Sequence, residues 1–195
     1  MQFNKFYQEN FYFFTTYINE QMIKNVVKFK NIAIIYNNNY IENESNFLKI
    51  KNFCKSNNIK FFIIDNLRLA IKYRLDGLII SHDNKRTYLN INNYKKDFKI
   101  IGKVHSQNEY SFKIKQKCTA ILLSPIFKNL KYSDSKILTI NKFNQISKDW
   151  KTTVYALSGI NFENIKKIKM TKAKGVGFIS LISNLKIKKP VLFFQ

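Results

Sequence analysis

Glycine, proline, cysteine, histidine and tryptophan are all scarce in this chain of 195 residues, which holds 5 Gly, 2 Pro, 2 Cys, 2 His and 1 Trp. Each shortage excludes something. Cys54 and Cys118 make no disulfide framework and suggest reduced thiols. Two His and two Cys, far apart in sequence, make no zinc pattern. With so little Pro and Gly there is no joint to divide the chain, and residues 1–195 read as a single domain. No apolar run approaches the roughly 18 residues that span a bilayer. Residues 1–10 are polar and lack the apolar core of a signal peptide. The expectation is a cytoplasmic protein with no membrane partner.

Acidic residues are scarce too, 12 Asp and Glu against 34 Lys and Arg, for a formal charge of +22. That excess does not identify a nucleic-acid binder. Lys accounts for 31 of the 34 cations, and Asn (25) and Ile (28) are inflated with it. These are residues of AT-rich codons, so the charge reads as coding bias spread over solvated faces. A nucleic-acid surface would gather its cations on one face with interleaved aromatics. The chain is 45% hydrophobic and 15% aromatic, ample for a core.

Eight short apolar runs recur: residues 11–16, 32–36, 61–65, 77–80, 99–104, 120–124, 153–158 and 175–180. They are apolar almost throughout, as in parallel strands buried on both faces. Segments of helical length lie between several of them. Residues 20–29 carry Met22, Ile23, Val26 and Val27 at helical spacing. Residues 46–57 carry Phe47, Leu48, Ile50 and Phe53, and residues 162–170 carry Ile165 and Ile168. Ser106-Gln-Asn-Glu109 reads as a capping box. Eight β–α units predict a compact (β/α)₈ TIM barrel. At this length some helices must be abbreviated, chiefly those after the fourth and eighth strands, where Pro190 interrupts the tail. An open doubly wound sheet fits the same alternation.

Chemistry in a parallel barrel sits at the C-terminal ends of the strands. There the chain carries Ala156-Leu-Ser-Gly-Ile-Asn161 and Gly175-Val-Gly-Phe-Ile-Ser180. Glycine lets a backbone approach a ligand, and N–H groups at a helix start face an anion. The plain alternative is that Gly159 and Gly177 serve only turns or close packing.

These segments, with others in order, resemble a known family. Tyr155 to Ile165 and Ala173 to Ser180 resemble the end of the thiamine phosphate synthase/TenI family, A-[IL]-G-G-I-N and then G-[VI]-A-x-x-S. Ile100-Ile-Gly-Lys-Val-His-Ser106-Gln-Asn-Glu109 resembles its G-x-S-x-H-[ST]-x-x-E. Leu123-Ser-Pro-Ile-Phe-Lys-Asn129 resembles its G-P-[IV]-F-x-T-x-x-K, and Leu75 to Ile80 its A-D-G-[VI]-H-[LV]. The resemblance implies a barrel that binds a thiazole phosphate and joins it to a hydroxymethylpyrimidine diphosphate with Mg²⁺. It implies phosphate contacts from Asn129, Lys131, Ser158, Gly159, Gly177, Ile179 and Ser180, and Mg²⁺ on Asp65 and Asp83. In the TenI branch a His at the position of His105 isomerises the thiazole as an acid/base, and this chemistry is an alternative here. A third reading is a non-catalytic binder of a phosphorylated ligand. The chain departs from the resembled pattern at the second strand, where Q-x-R-x-K is replaced by Ile35-Tyr-Asn-Asn-Asn39, with no cation.

Overall fold

The computed structural model describes residues 11–87, 94–95, 97–128 and 136–182. All eight apolar runs form strands: β1 (Phe11–Thr15), β2 (Ile32–Tyr36), β3 (Lys60–Ile64), β4 (Gly77–Ile80), β5 (Lys99–Val104), β6 (Ala120–Leu123), β7 (Thr153–Leu157) and β8 (Val176–Phe178). They pair in chain order, all parallel, and the ring closes. Closure is made by β8 on β1, with Phe11, Tyr12 and Phe13 opposite Val176, Gly177 and Phe178. That pairing excludes the open sheet. Several strands stop one or two residues before the apolar run does. At Asp65 (φ 51°) and Ser158 (φ 80°) the backbone leaves the extended region, which ends the ladder there.

Among the described residues, five α-helices pack outside: α1 (Glu20–Val26), α2 (Glu44–Ser56), α3 (Leu67–Lys72), α4 (Gln107–Lys115) and α5 (Thr139–Ile146). The segment expected as a helix after β7 forms only a 3₁₀ helix, Ile165–Met170. Residues 81–87, the described start of the β4–β5 connection, carry no helix. The tail after residue 182 lies outside the described residues.

The skewed composition is put to use at the helix ends. Asn19, Asn43 and Asn66 cap α1, α2 and α3, each accepting from the backbone N–H three residues on. With glycine rare, Asn58, Arg74 and Lys117 take the left-handed position that ends α2, α3 and α4. At each, two N–H groups return to the last turn, such as Ile59 to Cys54 and Asn58 to Lys55. A residue with a Cβ in that conformation costs about 1–2 kcal/mol.

The core has two shells. Outside the ring, residues such as Phe13, Ile34, Ile63 and Ile121 pack against Met22, Phe47 and Phe143 of the helices. Inside it, Tyr12, Phe14, Ala33, Ile35, Phe62, Ile64, Ile79, Ile101, Ala120, Leu122, Tyr155 and Leu157 fill the bore. Tyr12 lies edge-on to Tyr155 at 4.8 Å. Both thiols are buried, and burial pushes that of Cys118 up to about 12.

Gly177 belongs to this inner shell. A Cβ there would press on Leu157, Phe14 and Leu122 at 2.8, 3.1 and 3.2 Å. The absent side chain makes room for those three. Gly177→Val is therefore expected to overpack the bore and lower stability by about 1–3 kcal/mol, read as a fall in the denaturant midpoint. An unchanged midpoint would show that the bore has room to spare.

Candidate functional site

Inward-facing residues alternate along each strand, so the next inward position beyond the bore filling stands at the C-terminal rim. Ile35, Ile101, Leu122 and Leu157 fill the bore. Two residues further on come Asn37, Lys103, Ser124 and Gly159. All four line one cleft of about 530 Å³, together with Phe14, Lys128, Ser158, Ile179 and Ser180. Four of the residues singled out from sequence, Ser158, Gly159, Ile179 and Ser180, thus share a single cavity. Gly177 lies below them in the packed bore. Asn129 and Lys131 lie outside the described residues.

The β7 rim is built tightly. Gly159 has φ 73°, and a Cβ on it would overlap the backbone carbonyl of Phe127. The loop after β6 is also held to β7 by Ile126 N–H on Leu157 O (3.1 Å) and Phe127 N–H on Ser158 O (3.3 Å). Glycine at 159 thus lets the loop carrying Lys128 come against β7. The turn that follows is fixed by Asn161, whose Oδ1 accepts from the N–H groups of Glu163 and Asn164, both at 3.0 Å. With a six-residue 3₁₀ helix behind it, this turn offers an anion little helix dipole.

The two aspartates have separate tasks. Asp65 Oδ1 accepts from Ser81 N–H (2.9 Å) and from the Asn84 side-chain amide (2.6 Å). Asp83 is exposed and stands 3.9 Å from His82. Asp65 and Asp83 are the pair expected from sequence to share Mg²⁺, an ion that takes one or two carboxylates together with substrate oxygens. The Asp65 oxygen described is already doubly engaged, and Asp83 is turned to solvent. Among the described residues no group of three His, Cys, Asp or Glu is placed to hold a metal. Through Oδ1, Asp65 ties the end of β3 to the connection after β4. The same connection is anchored from below by Lys113, which is fully buried. Lys113 Nζ donates to Asn84 O (2.9 Å) and Gln116 Oε1 (3.0 Å). Gln116 in turn donates to Asn84 O and Arg86 O.

His105 follows β5 and is half-buried. Its Nδ1 lies 2.8 Å from Ser124 O and 3.2 Å from Ser124 Oγ. A carbonyl only accepts, so Nδ1 carries the proton and Nε2 keeps the lone pair of the neutral ring. Burial lowers the pKa of His105. His82 packs edge-on at 4.7 Å. Ser106 caps α4 as the sequence pattern expects, but Glu109 reaches past it to the His105 N–H at 2.6 Å. His105 does not itself line the cleft; its partner Ser124 does.

Sequence reasoning misses Lys103 and Lys128, because both are hidden in the general lysine excess. The available signal is parity: Lys103 lies two residues after the apolar Ile101 on a strand, so it faces inward at the rim.

Residues 30–182 match the family model described as thiamine monophosphate synthase. The thiamine-phosphate synthase of Prochlorococcus marinus strain AS9601 is 28% identical over 141 residues, 70% of this chain and 39% of that protein. That of a second Prochlorococcus marinus strain, SARG / CCMP1375, is 31% identical over 137 residues, 69% of this chain and 39% of that protein. The chain therefore matches about two-fifths of the length of these relatives. Among solved structures, thiamine phosphate pyrophosphorylase from Pyrococcus furiosus superposes with a TM-score of 0.67 at 17% identity, covering 88% of this chain and 86% of that one. It shows the same fold.

Two outcomes test the site's chemistry. Asp65→Ala leaves the Ser81 N–H without its acceptor and puts Ala at φ 51°, so a stability loss of about 2–4 kcal/mol is expected. The loss should be equal in Mg²⁺ and in chelator; a variant that melts like the parent yet loses only Mg²⁺-dependent ligand binding would return Asp65 to a metal role. For His105 the folded pKa lies below the ordinary value of about 6.5, so the unfolded chain takes up this proton first on acidification. Stability is unaffected by His105 at higher pH and falls as pH drops below about 6.5. His105→Gln should therefore show a smaller loss of denaturant midpoint between about pH 7.5 and about pH 5.5. An identical loss in both proteins would contradict the buried neutral ring.

Proposed function

This chain belongs to the thiamine monophosphate synthase family, and we propose that its rim cleft binds a thiazole phosphate and joins it to a hydroxymethylpyrimidine diphosphate. One observation carries the reading. The residues expected to hold the phosphate, Ser158, Gly159, Ile179 and Ser180, line the same cleft as two lysines. The described lining contains no carboxylate, so the cavity suits a ligand with negative charge. Ser158, Ser180 and the backbone at Gly159 take the phosphate, with Lys128 beside them. The exposed Ile179 offers apolar surface to the rings.

In the reaction, the carbon–oxygen bond between the pyrimidine methylene and the diphosphate breaks. Its electron pair leaves on diphosphate. The lone pair of the thiazole nitrogen forms the new carbon–nitrogen bond, and the ring becomes cationic. No proton moves, and nothing is oxidised or reduced. The protein's part is to hold both partners in line and stabilise the departing charge.

A second reading, thiazole isomerisation, is favoured by His105. Its fixed Nδ1–H tautomer and lowered pKa leave Nε2 a neutral base near pH 7. The readings separate in one set of assays on the purified protein. Thiazole phosphate should bind saturably by calorimetry, and adding the pyrimidine diphosphate should yield thiamine phosphate and diphosphate in equal amounts. That activity should survive replacement of Asn38, whose amide is engaged with Glu42 at 2.6 Å. Isomerisation without condensation, abolished in His105→Ala, would establish the second reading. Binding without either turnover would make the protein a carrier of the phosphorylated ligand, and no binding would sink all three.

A further inference from the structure

We propose that Lys103 is the residue that stabilises the departing diphosphate, from the β5 side of the cleft. The inference rests on the synthase reading and adds a catalytic residue to it.

Four observations converge on this lysine. Its strand position points it into the mouth of the barrel, one layer above Ile101. Its ammonium lies 5.7 Å from the centroid of the Phe14 ring, which is itself buried. A cation over an aromatic face is held in place and partly desolvated. The group therefore stands over the bore, where a ligand in the cleft must pass. Thirdly, Lys103 is half-buried, whereas Lys128 is exposed on its loop. A charge at the low-dielectric mouth acts more strongly on a neighbouring anion than one in solvent. Finally, the end of β2 brings no cation to the cleft. Asn37 lines the cleft, Asn38 is turned to Glu42, and the Asn39 carbonyl accepts from Asn66 at 2.7 Å. The described lining thus offers two ammonium groups for a ligand pair with two phosphorylated ends. Lys128, beside Gly159 and Ser158, serves the monophosphate, and Lys103 serves the diphosphate.

As the carbon–oxygen bond breaks, negative charge gathers on the diphosphate oxygen that takes the electron pair. The Lys103 ammonium donates to that oxygen and lowers the barrier by more than it lowers the energy of the bound substrate. It stays protonated throughout, so no proton needs returning.

The test uses three substitutions in the full chain. Lys103→Met keeps the aliphatic stem on Phe14 and removes the charge, and Lys103→Gln does the same with a polar end should the first fail to fold. Lys103→Arg keeps the charge. Lys55→Met, at the opposite end of the barrel, controls for net charge. The expected result for Lys103→Met is a fall in kcat for thiamine phosphate formation of about 100-fold, the size found when one such donor is removed. Binding of inorganic diphosphate should weaken by about tenfold or more, while binding of thiazole phosphate stays within about twofold. Lys103→Arg should recover most of both losses, and Lys55→Met should cause neither. Diphosphate binding that is equal in parent and Lys103→Met, or undetectable in the parent, would overturn the assignment. Failure of the parent to bind thiazole phosphate would instead remove the synthase reading, and the diphosphate measurement would still decide on Lys103.

Discussion

Everything at the rim depends on how the bore is filled. Eight parallel strands leave a narrow space inside, and the chain fills it with large side chains: Tyr12, Phe14, Phe62 and Tyr155 among them. Such a filling works only if small residues sit opposite, and Ala33, Ala120 and Gly177 do so. Once the bore is solid, it becomes a floor. The next inward residue of each strand has nowhere to go but upward into the mouth. Asn37, Lys103, Ser124 and Gly159 arrive in one cleft for that reason. Strand parity and core packing thus select the residues that line the mouth before any specific contact is considered.

The abbreviated helices shift the work of bracing the ring onto polar contacts. In the described part of the β4–β5 connection, buried Lys113 and Gln116 grip the backbone of Asn84 and Arg86. The Asn84 amide reaches on to Asp65 at the end of β3. Burying an ammonium is costly unless it is hydrogen-bonded, and each such bond to a charged group returns about 1.5–3 kcal/mol. The stem of Lys113 also lies across Gly102, where a Cβ would press on its Cγ at 2.7 Å. A glycine in the middle of β5 is thereby explained by a side chain on α4, far from any ligand.

Charge tells two stories in this molecule. Most of the described lysines are exposed to solvent on helices and loops alike, and their number reflects composition more than purpose. The two in the cleft differ by placement alone. His105 feels its own burial first and the positive charge of Lys103 as well, and both favour its neutral form. The Ser124 carbonyl and the Glu109 carboxylate oppose that shift, and burial outweighs them, so the imidazole leans to its neutral form beside a cleft whose two lysines attract anions.

The sequence alone determined the ring. Runs that are apolar on both faces, repeated eight times with helical segments between, specify buried parallel strands, and their order in the chain became their order in the barrel. It also indicated the loops at residues 158–159 and 179–180, because short polar and glycine-containing turns after strands are legible one residue at a time. Other features needed the tertiary structure. Whether Gly177 faces a ligand or the bore depends on which way β8 turns in the closed ring. Whether Asp65 binds a metal or ties two connections depends on Ser81 and Asn84, which lie 16 and 19 residues away. The meaning of Lys103 depends on a ring of neighbours drawn from several strands. Local patterns are written in consecutive residues, whereas a site is written in distances between residues far apart, and only closing the barrel sets those distances.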